Sequence, residues 1–282
     1  MELRTLIDAP SLAQRIEKHD VLVVDCRVDL ADRALGPRVY AQGHVPGAVY
    51  ANLETDLSDL SKHGLGRHPL PDAAAFSRVL ASWGWTPDTA VVAYDAANGA
   101  LAAARLWWML RLVGVRDVAV LDGGFGAWQS AGLPLETAAP VRQATAPHVD
   151  FDPAQIVYTD ALQAQRQNIL LLDARAAPRY RGETESIDPV AGHVPGARNR
   201  PFSDNLSGDG RFKPAAQLRA EFIALLGATK PGDVAHMCGS GVTACHNLLA
   251  MEHAGLAGSR VYAPSWSGWI ADRTRPVATG PN

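Results

Sequence analysis

Cys238 stands in VAHMCGSGVTACHN (residues 234–247), between an apolar run and a turn of glycine and hydroxyl residues that leads into a helical stretch. A thiol in that setting can be a nucleophile. The apolar run reads as a strand that ends at Met237 and delivers Cys238 to the carboxyl edge of a sheet, where open α/β folds keep their ligand sites. Gly239, Ser240, Gly241 and Thr243 are small enough for the backbone to curl back, so that successive N–H groups point toward whatever sits on the sulfur. With the positive end of the following helix dipole, such a cradle favours the thiolate near neutral pH. The alternative is a small buried hydrophobe, which is what most free cysteines are; the glycine-flanked loop argues for chemistry instead. Cys26 follows Asp25 in a strand and Cys245 lies inside the helix, so both read as structural. His236, His246 and His253 do not combine with the cysteines at spacings typical of zinc sites, and no metal is expected.

Composition narrows the setting. Three cysteines among 282 residues cannot make a dense disulfide framework, and they fit a reducing compartment in which a thiol stays available. With 47% hydrophobic and 20% charged residues, a formal charge of -3 and a pI near 6.3, the chain is ordinary globular protein and not a general nucleic-acid binder. A small substrate is expected. No apolar run approaches the span of a bilayer, and the first residues carry Glu2, Asp8 and Glu17 without a long apolar core. Neither a membrane span nor a signal peptide is expected, and the cytoplasm is the expected location.

The elements that must position Cys238 occur twice. VLVVDCR (21–27) is echoed by ILLLDAR (169–175), and GHVPGA (43–48) by an identical GHVPGA (192–197). Two weaker pairs follow in the same order: residues 91–110 against 234–253, and VAVLDGGFGAW (118–128) against SRVYAPSWSGW (259–269). Similar composition could explain the apolar runs but not a six-residue identity. Each half alternates short apolar runs with longer amphipathic stretches, which predicts an α/β fold with a mostly parallel sheet flanked by helices. In the first half, helices are expected near 10–18 and 98–112 and strands near 21–25, 90–94 and 117–121. In the second, helices are expected near 159–167 and 242–254 and strands near 169–173, 233–237 and 260–262. Gly255 is placed to end the last helix in a left-handed conformation. The Ala-, Pro- and Thr-rich stretch 136–153 lacks apolar periodicity, so the domains are drawn at 1–137 and 151–282 with a linker at 138–150.

The repeat, the paired GHVPGA segments and the loop CGSGVTA together resemble the tandem-domain rhodanese family, in its 3-mercaptopyruvate sulfurtransferase branch. The likeness runs roughly from Leu6 to Ala278. It implies two rhodanese-like domains of which only the second is active, because Asp95 occupies the place matching Cys238. It also implies a double displacement without a cofactor. Cys238 takes the outer sulfur of a donor as a persulfide, cradled by Gly239, Ser240, Gly241, Val242, Thr243 and Ala244, and an acceptor thiol, reduced thioredoxin or cyanide removes it.

Thiosulfate-preferring members carry charged residues after the cysteine, whereas Gly239 and Ser240 are neutral, which favours mercaptopyruvate with its carboxylate met by an arginine elsewhere. Arg179 in DARAAPRYRG matches the family's substrate arginine; the alternative for it is an ion pair with Glu183 or Glu185. The family also implies a proton relay through Ser240, His68 in GRHPLP and Glu54 in ANLETD, although His68 could instead cap the turn before Pro69. His44 and His193 recur in both halves and read as structural. Two departures stand out. YAPSWSGW (262–269) replaces the family's YDGSWSEW, and GETESIDPV (182–190) lacks a second carboxylate-binding arginine, for which Arg198 or Arg200 are the substitutes in view. A cysteine phosphatase would need an arginine closing the loop, where GVTA has none. Thiosulfate as donor and a non-catalytic persulfide carrier are the remaining alternatives.

Overall fold

The computed structural model describes residues 3–281. The chain forms two compact units. Met1–Asp59, Leu70–Asp152 and Asp209–Arg211 make the first, and Leu60–Pro69, Pro153–Gly208 and Phe212–Asn282 the second. Residues 60–69 thus fold with the second unit although they lie early in the sequence.

In the first unit the elements run β1 (Leu6–Ile7), α1 (Ala9–Glu17), β2 (Val21–Asp25), α2 (Leu35–Gln42), β3 (Val49–Tyr50), α3 (Ala73–Ser82), β4 (Ala90–Tyr94), α4 (Ala102–Leu112), β5 (Val118–Leu121) and α5 (Gly124–Ser130). The second unit runs β6 (Ile156–Val157), α6 (Thr159–Ala164), β7 (Leu170–Asp173), α7 (Ala177–Arg181), β8 (Arg198–Asn199), α8 (Ala215–Leu226), β9 (Val234–Met237), α9 (Ala244–His253), β10 (Arg260–Tyr262) and α10 (Ser265–Trp269). The sheet orders are β1-β5-β4-β2-β3 and β6-β10-β9-β7-β8, the same topology twice. Every strand pairing within them is parallel. Parallel strands covered on both faces must be apolar throughout, which is why VLVVD, AVVAY and LLLD are runs and not alternations. The edge strands are only two residues long and offer little backbone for mispairing.

The register confirms the repeat residue by residue. Asp25 pairs with Tyr94 and Asp173 pairs with Met237, so Asp95 and Cys238 each follow the last residue of the central strand. Three expected boundaries shift for local reasons. The helix expected from 98 begins at Ala102, because Asn98 and Gly99 take left-handed conformations (φ 56° and 83°). The helix expected from 242 begins at Ala244, after the turn at Gly241. The helix expected to 167 ends at Ala164, since Leu162 is its one buried residue and nothing apolar beyond it continues the stripe. Gly255 does close α9, at φ 71° with Leu256 N–H donating back to Met251 O (2.8 Å). Helices α2, α3, α5, α7, α8 and α10 have no counterpart among the sequence expectations, although α8 buries Leu218, Phe222 and Leu226 at a spacing of four.

Candidate active site

Cys238 leaves the sheet between β9 and β7, where chain connections run outward in opposite directions, the usual place for a ligand crevice. It is buried, with 3% exposure. Three hydrogen bonds sew its loop to residues 265–267: Cys238 N–H to Ser265 Oγ (3.1 Å), Trp266 N–H to Cys238 O (3.0 Å) and Ser267 N–H to Gly239 O (2.9 Å). The chain then doubles back at Gly241, where φ is 80° and a Cβ would lie 2.3 Å from Ala263 O. Only glycine fits there. The turn aims the Gly241 N–H at the Cys238 sulfur, 3.2 Å away. Gly239, Ser240, Val242 and Ala244 are buried around it, and Thr243 is half-buried.

Ser265 holds a left-handed backbone (φ 52°) although it is not glycine. The first unit puts Gly124 at the matching place, with φ 58°. A left-handed residue with a side chain costs on the order of 1 kcal/mol. Two hydrogen bonds offset it: the Ser265 hydroxyl donates to Tyr262 O (3.0 Å) and accepts from Cys238 N–H. The serine therefore fixes the backbone that carries Cys238.

Residues 60–69 contribute His68 and Arg67. His68 Nδ1 lies 2.8 Å from Ser240 Oγ, with both residues buried. Arg67 N–H donates to Ser267 Oγ (3.0 Å), and a Cβ on Gly66 would lie 2.4 Å from Pro264 O, so this segment presses on the 264–267 turn. The same contact accounts for the departure in YAPSWSGW. A Cβ on Gly268 would lie 2.4 Å from the Pro264 ring and 3.2 Å from Gly66 N, so a proline at 264 leaves no room for an acid at 268.

The arginines divide differently from expectation. Arg179, on α7, gives its Nε and Nη2 to Glu185 (2.8–3.1 Å) and Nη2 also to Asp188 Oδ2 (3.2 Å). The ion pair with Glu185 is present, while Glu183 pairs with Arg181. Arg198 is bound to Leu225 O. Arg200 is engaged with Asn205, Asp204 O and Glu221, whose pKa burial raises but Arg200, Lys213 and Gln217 bring down to about 2. The arginine that does join Arg179 is Arg67, whose guanidinium pairs with the other oxygen of Asp188. A Cβ on Gly239 would lie 3.0 Å from Arg67 Nη2 and 3.8 Å from Arg179 Nη2, so both cations flank the residue after Cys238. Sequence reasoning missed Arg67; its signal was adjacency to His68 in GRHPLP. Burial holds the Asp188 pKa above the ordinary carboxylate value, with Arg67 opposing the rise and Glu185 adding to it.

Other expected residues lie elsewhere. Glu54 belongs to the first unit, where its carboxylate pairs with Arg33 at 2.9 Å. His44 and His193 each stack on a tyrosine, Tyr40 and Tyr180, with Nδ1 on that tyrosine's carbonyl. Cys26, whose thiol pKa burial pushes well up, and Cys245, whose sulfur lies 3.5 Å from Gly241 O, form no disulfide with each other or with Cys238.

The matching loop of the first unit carries a carboxylate in place of the thiol. Asp95 is fully buried, and its carboxylate accepts the N–H groups of Ala97, Gly99, Leu101 and Ala103 (2.8–3.1 Å). A carboxyl group one bond beyond Cβ thus sits in a ring of backbone amides, whose hydrogen bonds oppose the rise in pKa that burial causes. In the second unit a sulfur bonded to Cys238 Sγ would stand where the Asp95 oxygens stand on their own side chain.

Among the described residues no helix is long and apolar enough to cross a membrane. A Rhodanese-like domain is matched at residues 8–131 and again at 158–272. A Pseudomonas aeruginosa protein named "Probable 3-mercaptopyruvate sulfurtransferase" is 49% identical over 99% of this chain and 100% of its own length. A Cricetulus griseus protein named "Thiosulfate sulfurtransferase" is 36% identical over 82% of this chain and 78% of its own. The solved structure of 3-mercaptopyruvate sulfurtransferase from Leishmania major superposes with a TM-score of 0.87 at 32% identity, covering 97% of this chain and 76% of that one. The matched segments coincide with the two sheet repeats, and the cysteine loop lies in the second: the chain belongs to the rhodanese family, as a tandem of two rhodanese-like domains.

Proposed function

We propose that this chain is a sulfurtransferase whose donor is 3-mercaptopyruvate and whose single reactive centre is Cys238. The Cys238 thiolate attacks the donor sulfur, the carbon–sulfur bond breaks, and its electron pair departs with carbon as the enolate of pyruvate, which takes up a proton. A persulfide remains on Cys238. An acceptor thiolate, for which reduced thioredoxin is our candidate, or cyanide then attacks the outer sulfur and returns the Cys238 thiolate. The Gly241 N–H at 3.2 Å from Sγ stabilises negative charge on the sulfur in both half-reactions. The hydrogen-bonded pair of Ser240 and His68 supplies the proton path to the leaving enolate. Absence of disulfide pairing fits work in a reducing compartment, and we place the protein in the cytoplasm.

The observation that carries the donor assignment is the pairing of an uncharged Gly239 with two guanidiniums, Arg67 and Arg179, at the position where a side chain would start. Cationic charge set back from the sulfur suits a donor whose carboxylate is separate from the transferred atom. Thiosulfate is the second reading, favoured by the name of the Cricetulus griseus relative.

The deciding experiment compares kcat/KM for the two donors on one preparation with cyanide as acceptor. A preference of at least tenfold for mercaptopyruvate, about 1.4 kcal/mol in transition-state binding, supports the assignment, and a thiosulfate preference overturns it. Catalytic formation of pyruvate from excess donor separates an enzyme from a carrier that loads once. Cys238→Ser abolishes transfer while the protein still folds; turnover retained in that variant would sink the mechanism.

A further inference from the structure

Asp188 has no role in the chemistry above, yet it is the carboxylate nearest the donor site. Its side chain is 2% exposed. One oxygen pairs with Arg67 and the other with Arg179, and Oδ2 lies 3.8 Å from where a Cβ on Gly239 would be. Glu185 supports the arrangement from behind by accepting from Arg179 Nε and Nη2 and from the N–H groups of Ile187 and Asp188. The backbone of residues 185–188 is thereby fixed, and Asp188 cannot swing away without breaking both arginine contacts.

We propose that Asp188 is a specificity-determining residue, a fixed negative charge between Arg67 and Arg179 that sets the donor site against dianions. The two guanidiniums alone would present two positive charges beside the nucleophile's loop. Asp188 cancels one of them at close range and Glu185, paired with Arg179, balances the other, both carboxylates being almost fully buried where solvent screens little. A monoanionic donor such as mercaptopyruvate meets the guanidiniums against one unit of repulsion from Asp188. A dianion such as thiosulfate feels each charge here twice as strongly as a monoanion, so the Asp188 charge costs it twice as much and its removal favours the dianion, because the energy scales with the product of charges. Discrimination here comes from a repulsive element as much as from the neutral loop.

This proposal rests on the donor site assigned above, and its test separates the two. kcat/KM for mercaptopyruvate and for thiosulfate is measured in the wild type, in Asp188→Asn and Asp188→Ser, and in the charge-retaining Asp188→Glu. The neutral variants should move the mercaptopyruvate-to-thiosulfate ratio toward thiosulfate by tenfold or more, with the gain in a lower KM for thiosulfate, and Asp188→Glu should keep the wild-type ratio. A residue that only braces the arginines would lower both donors in parallel. A parallel loss, or an unchanged ratio in both neutral variants, overturns the proposal. A wild type that prefers thiosulfate overturns the donor assignment instead, while the shift caused by neutralising Asp188 is still read relative to that starting ratio.

Discussion

His68 Nδ1 and Ser240 Oγ share a hydrogen bond of 2.8 Å across 172 residues of sequence, with both residues buried. A histidine that merely capped the turn before Pro69 would not need a hydroxyl two residues from Cys238. If the pair conducts the proton to the leaving enolate, His68→Asn and Ser240→Ala should each lower kcat for mercaptopyruvate by roughly 10²–10⁴. The double variant should lose no more than the worse single one, because groups acting as one unit are not additive. Thiosulfate makes the sharper control. Its leaving group, sulfite, needs no proton, so thiosulfate turnover should fall much less. Equal losses for both donors would show that the pair only shapes the loop.

Glu54 is the expected third member of that relay, and the structure pairs it with the exposed Arg33. The two assignments differ in what substitution does. An exposed ion pair of this kind is worth about 0–1 kcal/mol. If Glu54 serves the relay, Glu54→Gln lowers kcat for mercaptopyruvate at least tenfold and shifts the pH–rate profile, while Arg33→Ala leaves both nearly unchanged. If it serves only the ion pair, both substitutions leave kcat alone and change Tm by no more than a degree or two. A pH titration of kcat in the two variants decides.

Much of this site was legible in the sequence because its backbone is specified by residue type. Gly241 must be glycine at φ 80°, Cys238 must follow a buried strand, and the GHVPGA repeat fixes two copies of one topology. What escaped depends on partners distant in sequence. Arg67 gains its place because Gly66 and Gly268 let residues 60–69 press against Pro264, and adjacency to His68 is the one local hint of it. Asp188 looks like a loop acid until Arg67 and Arg179 are seen on either side of it. Arg200 looked available and is consumed by Glu221. Long charged side chains carry little periodic signal, so their pairing is settled by tertiary structure alone.

Asp95 offers a test of the cradle that needs no substrate. Its carboxylate fills four backbone N–H groups in a fully buried loop, at the place that Cys238 takes in the second repeat. Asp95→Ala removes the acceptor and leaves those donors buried, and an unsatisfied buried polar group costs about 1–3 kcal/mol. Some of the loss is recovered by water entering the vacated space, so a fall in Tm of several degrees is expected. The amides, if they form an anion site by virtue of backbone alone, should then bind a small anion from solution. Chloride should raise the Tm of Asp95→Ala in a saturable way and leave the wild type, whose cradle is already filled, without that response. Asp95→Asn keeps one oxygen acceptor but adds donors that face donors, so it should be destabilised without rescue by chloride. A Tm for Asp95→Ala that is unchanged, or that responds to chloride no more than the wild type, would mean that the loop collapses when its anion is removed. The persulfide cradle around Cys238 would then have to be induced by the bound sulfur and not built into the fold.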